Sequence, residues 1–125
     1  MTNQEIFDRV WNHFIVENNS VSALNNDCPQ YKDEAGNKCT IGILIPDELY
    51  RPAMEGLSYD SVLCRWPKVL HTIVGEDNVV DLLSTLQGIH DYAAWQHETS
   101  LNTISSKQEL VEVAKNFNLS IPKKV

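Results

Sequence analysis

Apolar residues near the start of the chain recur at the spacing of a helix. Ile6, Phe7, Val10, Trp11, Phe14 and Ile15 share one broad face. Ahead of them, Thr2 and Glu5 have the spacing of a capping box. There the hydroxyl accepts from the amide of the third helical residue, whose carboxylate reaches back. Together they predict a helix over residues 3–17, ended by Asn18, Asn19 and Ser20. Residues 20–29 are polar and rich in Asn, and read as a loop.

The period then changes. Residues 36–56 read GNKCTIGILIPDELYRPAMEG, with Cys39, Ile41, Ile43 and Ile45 on every second position. Such alternation places all four on one face of a strand. Residues 30–32 and 38–45 are therefore expected to pair as a hairpin, with Gly36 available for a turn at positive φ. Gly42, inside the second strand, lets another backbone come close. Two strands are marginal alone, so helices are expected to cover their apolar side. Pro46 ends the strand and opens a short helix over residues 47–50, with Asp47 and Glu48 at its positive end. Pro52 halts that helix, and residues 54–56 turn.

The second half reads as helical. Residues 58–74 form two short helices meeting at Trp66-Pro67, because a residue before proline resists helical geometry. Val69, Leu70 and Ile73 give the second its apolar side, and Gly75 stops it. Glu76 and Asp77 open a longer helix with the stripe Val79, Leu82, Leu83, Leu86, Ile89, His90 and Ala93. Ser106 and Glu109 repeat the capping-box spacing. They start a last helix that turns Leu110, Val113, Ala114 and Phe117 inward and closes at Asn118. Residues 117–125 are expected to form a partly loose tail. The resulting expectation is one α+β domain over residues 1–125, mostly helical, with about five helices packed on one small antiparallel hairpin.

Composition narrows the function classes. A chain of 125 residues that is 42% hydrophobic can build a core without disulfides or metals. Lys and Arg total 10 against 17 Asp and Glu, giving a net charge of -7. Such a chain lacks the basic stripe that displaces counterions from nucleic acid, and anionic membranes repel it. No apolar run approaches the ~20 residues needed to span a bilayer. The opening MTNQEIFDRV lacks the basic-then-apolar order of a leader peptide, so a cytoplasmic location is expected. Cys28, Cys39 and Cys64 are then expected to be reduced thiols.

Candidate chemistry is sparse. A nucleophilic thiol needs a lowered pKa, whereas Cys39 lies among isoleucines and is expected to be a buried, inert thiol. Cys64, beside Leu63, is expected to be core as well. His90 and Asp91 offer a base and a carboxylate. Adjacent helix residues diverge by about 100°, so Asp91 is not expected to orient His90. His90 is instead expected to be a core histidine satisfied by backbone or by a carboxylate. No Cys or His pair has the spacing zinc favours, and the glycines are too scattered to cradle phosphate, so neither metal nor cofactor is expected. Asp47, Glu48 and Glu55 flank the strand-to-helix corner, Asp47 as a helix cap and the others as solvated surface, or together as a site for a cation or a basic partner. Gly88 inside a helix costs about 1 kcal/mol against alanine, which a close helix crossing or a ligand would explain. Tyr50, Tyr59, Trp66, Tyr92 and Trp95 lie off the obvious buried stripes. They form either an interaction patch or the sealed edge of a small core.

The stretch over residues 36–56 resembles a segment, G-x-K-C-x-I-G-x-L-I-P-D-x-x-Y followed by M-E-G, of small bacterial and phage proteins with no assigned activity. LQGIHD, ending at Asp91, is similar to a later piece of the same group. The two cover about a quarter of the chain. The resemblance implies no catalytic role. It implies that Cys39, Gly42, Pro46, Asp47, Tyr50, Glu55, Gly56, His90 and Asp91 are the place to look.

Two readings follow. In the first, the chain is a non-catalytic interaction or regulatory module from a bacterium or phage. It binds a protein through Asp47, Tyr50, Glu55, His90, Asp91 and Trp95, without direct nucleic-acid or membrane binding. Its acidity favours a basic partner, such as a nucleic-acid-binding protein that it inhibits, though its charge is too modest for DNA mimicry. In the second, a small hydrolase or transferase uses Cys39 with His90. That reading requires sulfur and imidazole within roughly 3–4 Å of each other in an open pocket.

Overall fold

Thr2 accepts from the Glu5 amide, and Glu5 reaches back to the Thr2 N–H, so the first capping box forms as read. It opens helix α1 (Asn3–Trp11), which continues as a π-helical turn over Asn12–Val16. The computed structural model describes residues 1–25, 28–75 and 78–122. Among them, five α-helices and one two-stranded antiparallel hairpin make a small α+β fold that is 53% helical. Ile6, Phe7 and Phe14 are fully buried at the centre of the core, as the stripe on the first helix requires.

The hairpin forms upstream of its expected place. Strand β1 (Leu24–Asn25) pairs with β2 (Cys28–Pro29), Leu24 opposite Pro29 and Asn25 opposite Cys28. Of the pairing expected between residues 30–32 and 38–45, an isolated bridge between Lys32 and Lys38 remains. Gly36 does turn at a φ of 87°. The turn is held by Asp33, which accepts from Asn37 N at 2.9 Å and from Ala23 N at 2.8 Å.

Beyond Cys39 the chain coils rather than extends. A 3-10 turn spans Gly42–Leu44, and Ile43 N donates to Cys39 O at 3.0 Å. Cys39, Ile41, Leu44 and Ile45 are buried while Ile43 is half-buried, so the alternation of isoleucines does not become an alternation of burial. A short apolar run suits a buried turn as well as a strand, and periodicity cannot separate the two. The close approach expected at Gly42 is present in this different geometry. A Cβ there would lie 2.0 Å from the Tyr31 carbonyl oxygen.

Residues 47–50 form a turn on the Pro46 carbonyl, not a helix, so Asp47 caps nothing. A 3-10 turn at Pro52–Met54 follows, and Gly56 turns at a φ of 80°. Helices α2 (Tyr59–Arg65) and α3 (Pro67–Ile73) meet at Trp66-Pro67, as proline geometry demands. Cys64 is exposed, correcting its expected place in the core. The seven-residue α2 buries only the narrow side carrying Val62 and Leu63, and Cys64 is rotated off it.

Helix α4 (Val80–Trp95) buries Leu82, Leu83, Leu86, Ile89, His90 and Ala93, the stripe read from sequence. Its expected opening at Glu76 and Asp77 lies outside the described residues. Helix α5 (Ile104–Asn116) packs against α4 and starts one turn-fragment earlier than expected. Thr103 is the cap, accepting from Ser106 N at 3.2 Å, and Ser106 is already inside the helix and buried. A better-placed threonine three residues upstream thus takes the role assigned to Ser106. Helices α4 and α5 end in left-handed residues, His97 at φ 60° and Asn118 at φ 58°. In each, the following amide reaches back to close the end, Glu98 N to Ala93 O at 2.9 Å and Leu119 N to Ala114 O at 2.7 Å.

Residues 117–120 are anchored rather than loose. Phe117 and Leu119 rest on the core, and Gln4 exchanges two 2.9 Å bonds with the Ser120 backbone. Residues 123–125 lie outside the described residues. No helix among the described residues is long and apolar enough to cross a membrane.

Candidate functional site

Of the residues singled out by the 36–56 and LQGIHD segments, Tyr50 and Glu55 fall in one polar cluster and His90 and Asp91 in another. The first is a clasp built on Glu55, which the Gly56 turn brings against the chain near residue 31. Its Oε1 accepts from Tyr31 N at 2.8 Å. Its Oε2 accepts from Lys32 N at 3.0 Å and from the Tyr50 phenol at 2.6 Å. Burial, and then the bond to Glu55, hold the Tyr50 phenol in its neutral form well above its ordinary range. Tyr50 and Glu55 are therefore brought together, but facing each other. Asp47 stands apart and exposed, its carboxyl lowered by the Lys38 ammonium at 2.7 Å.

The second cluster lies on α4. His90 is fully buried. Ser22 N donates to His90 Nε2 at 3.2 Å, which makes Nε2 an acceptor and leaves the ring proton on Nδ1. Nδ1 donates to Asp91 Oδ1 at 3.2 Å. The expectation that Asp91 does not orient His90 is corrected by this bond. Helical side chains lean back toward the preceding turn, and Gln87, four residues earlier, draws the carboxylate there through a 2.6 Å bond to the same oxygen. Gln87 also accepts from Ile41 N at 3.0 Å, so α4 is tied both to the 41 loop and to residue 22. Sequence reasoning missed Gln87. Its signal was the i, i+4 spacing to Asp91.

Cys39 sits between the clusters with no exposed surface. Its Sγ accepts from Gly42 N at 3.3 Å, and burial above all pushes the thiol up to about 12. Both nitrogens of His90 are bonded elsewhere. The cysteine reading required the thiol in an open pocket, and Cys39 is instead enclosed.

No family model, curated protein or solved structure matches the chain. What the molecule offers a ligand is then decided by its surfaces. The outward face of α4 carries Ser84, Thr85, Gly88, Tyr92 and Trp95, all exposed. On one side of it, a groove of about 1090 Å³ runs between α4 and α5, lined by Thr85, Gly88, Tyr92, Ile104 and Val111. Tyr92 is 59% and Ile104 82% exposed there, and Trp95 is 52% exposed at the end of α4. On the other side, a cleft of about 430 Å³ is lined by Gln87, Gly88, Asp91, Tyr31, Ser58 and Tyr59. Gly88 borders both depressions.

Proposed function

We propose that this chain is a non-catalytic protein-interaction module of bacterial or phage origin, acting in the cytoplasm on a basic protein partner rather than directly on nucleic acid. The carrying observation is the outer face of α4, where Tyr92 and Trp95 stand exposed three residues apart and Ile104, at the start of α5, shares the groove with Tyr92. Large aromatic and aliphatic side chains exposed beside a groove are the usual anchors of protein interfaces. The net charge of -7 favours partners of opposite sign and speeds their encounter. Glu55, Tyr50 and His90 support this role by fixing the scaffold, since their polar atoms bond to one another and to backbone. Asp47 remains as an exposed acidic contact.

Affinity capture from host lysate tests the reading. The wild-type chain is expected to retain a basic protein that the double variant Tyr92→Ser, Ile104→Asp loses. Val16→Ser, which removes an exposed apolar residue on another element, is expected to keep it. Capture that is absent, or indifferent to the double variant, contradicts the proposal.

A further inference from the structure

Gly88 is the residue whose presence the fold does not explain. It sits inside α4, where glycine is unfavourable, yet a Cβ built there meets nothing within 4 Å. A close helix crossing is therefore not its reason. It forms a low saddle in an otherwise side-chain-covered helix face, and the saddle joins the α4–α5 groove to the cleft at Asp91. A segment lying across α4 at this point would place neighbouring side chains in both depressions.

The two depressions differ in chemistry. The groove presents Tyr92, Ile104 and Val111, rimmed by the charged Lys107, Glu109 and Glu112. The cleft is lined by a single formally charged side chain, Asp91, alongside Tyr31, Tyr59, Ser58 and Ser84. Both donors to Asp91, from Gln87 and His90, fall on Oδ1. Among the described residues Oδ2 accepts no bond, so a positioned carboxylate oxygen remains for a cation. The cleft's volume, about 430 Å³, suits a side-chain-sized group. Planar guanidinium pairs with carboxylate and stacks on tyrosine rings better than ammonium does.

Resting on the interaction reading, we infer that the partner lays a segment across α4 at Gly88, with an arginine side chain in the cleft on Asp91 and an apolar neighbour in the α4–α5 groove. N-acetyl-arginine amide, titrated into the protein and followed by amide NMR, tests the cleft without the partner in hand. It is expected to shift the backbone amide resonances of Gly88 and Asp91 and the side-chain amide of Gln87 saturably, while the neutral N-acetyl-citrulline amide does not. Asp91→Asn, which keeps an oxygen for Gln87 and His90, is expected to weaken binding about tenfold or more. Gly88→Leu keeps the carboxylate and favours the helix, and is expected to abolish binding by filling the saddle. It decides the matter should Asp91→Asn unfold. Absent or unsaturable shifts, equal binding of citrulline amide, or unchanged binding by either folded variant overturns the arginine site. That result is distinguishable from failure of the interaction reading, which is read from lysate capture through Tyr92 and Ile104.

Discussion

Glu55 holds the backbone of Tyr31, accepting its N–H through Oε1 at 2.8 Å. The same carboxylate takes the Lys32 N–H and the Tyr50 phenol. A residue 24 positions away in sequence thereby fixes the course of the chain into Cys39.

Glu55→Gln puts an NH₂ where a carboxylate oxygen now accepts, so a donor faces a donor. Leaving such a group unpaired costs about 1–3 kcal/mol. Urea denaturation is expected to show a lower midpoint at unchanged slope. An unchanged midpoint would mean the clasp contributes nothing.

Two glycines are expected to respond with opposite signs. At Gly42, an alanine Cβ would fall 2.0 Å from the Tyr31 carbonyl oxygen, a backbone atom that cannot step aside cheaply. Gly42→Ala is expected to destabilise by about 3 kcal/mol, at the upper end for overpacking. At Gly88, the new methyl meets open space, and Gly88→Ala is expected to stabilise by about 1 kcal/mol. Thermal melts of the two variants check both. Shifts in the same direction would contradict the backbone contact at Gly42 or the bareness of Gly88.

His13 gives a pH signature. Burial lowers its pKa from the usual 6.5, and its Nε2 is buried without a hydrogen-bond partner among the described residues. The unfolded chain therefore binds this proton at a higher pH than the folded one. Its share of stability is fully present above about 6.5 and is lost as pH falls through and below that value. His13→Asn keeps an acceptor for Asn19 and removes the titration. The stability of wild type relative to this variant is expected to fall as pH drops below about 6.5, the side on which the unfolded chain takes up the proton first. Parallel curves for the two proteins would refute the assignment.

The helical half of the molecule was legible because local rules and burial agree there. Thr2 with Glu5, Trp66 before Pro67, and the stripe from Leu82 to Ala93 each say one thing at two levels. The 38–45 segment misled because a buried turn and a buried strand share one composition, and nothing local says that Gly42 lies under the Tyr31 carbonyl. The cap of α5 was misplaced for a related reason. Ser106 and Thr103 are both competent, and tertiary packing of Ser106 decides between them. Within the candidate site, burial of His90 and Cys39 followed from their positions. The bond between His90 and Asp91 did not, because it depends on Gln87 pulling the carboxylate back over the preceding turn.

The claim that the 36–56 segment is scaffold and not a reaction centre is tested most directly by native thiol labelling with peptide mapping. Cys28 and Cys64, both exposed, are expected to react at once at neutral pH, and Cys39 only after denaturant opens the core. Rapid labelling of Cys39 in the folded protein, slowed by substitution of His90, would contradict the account.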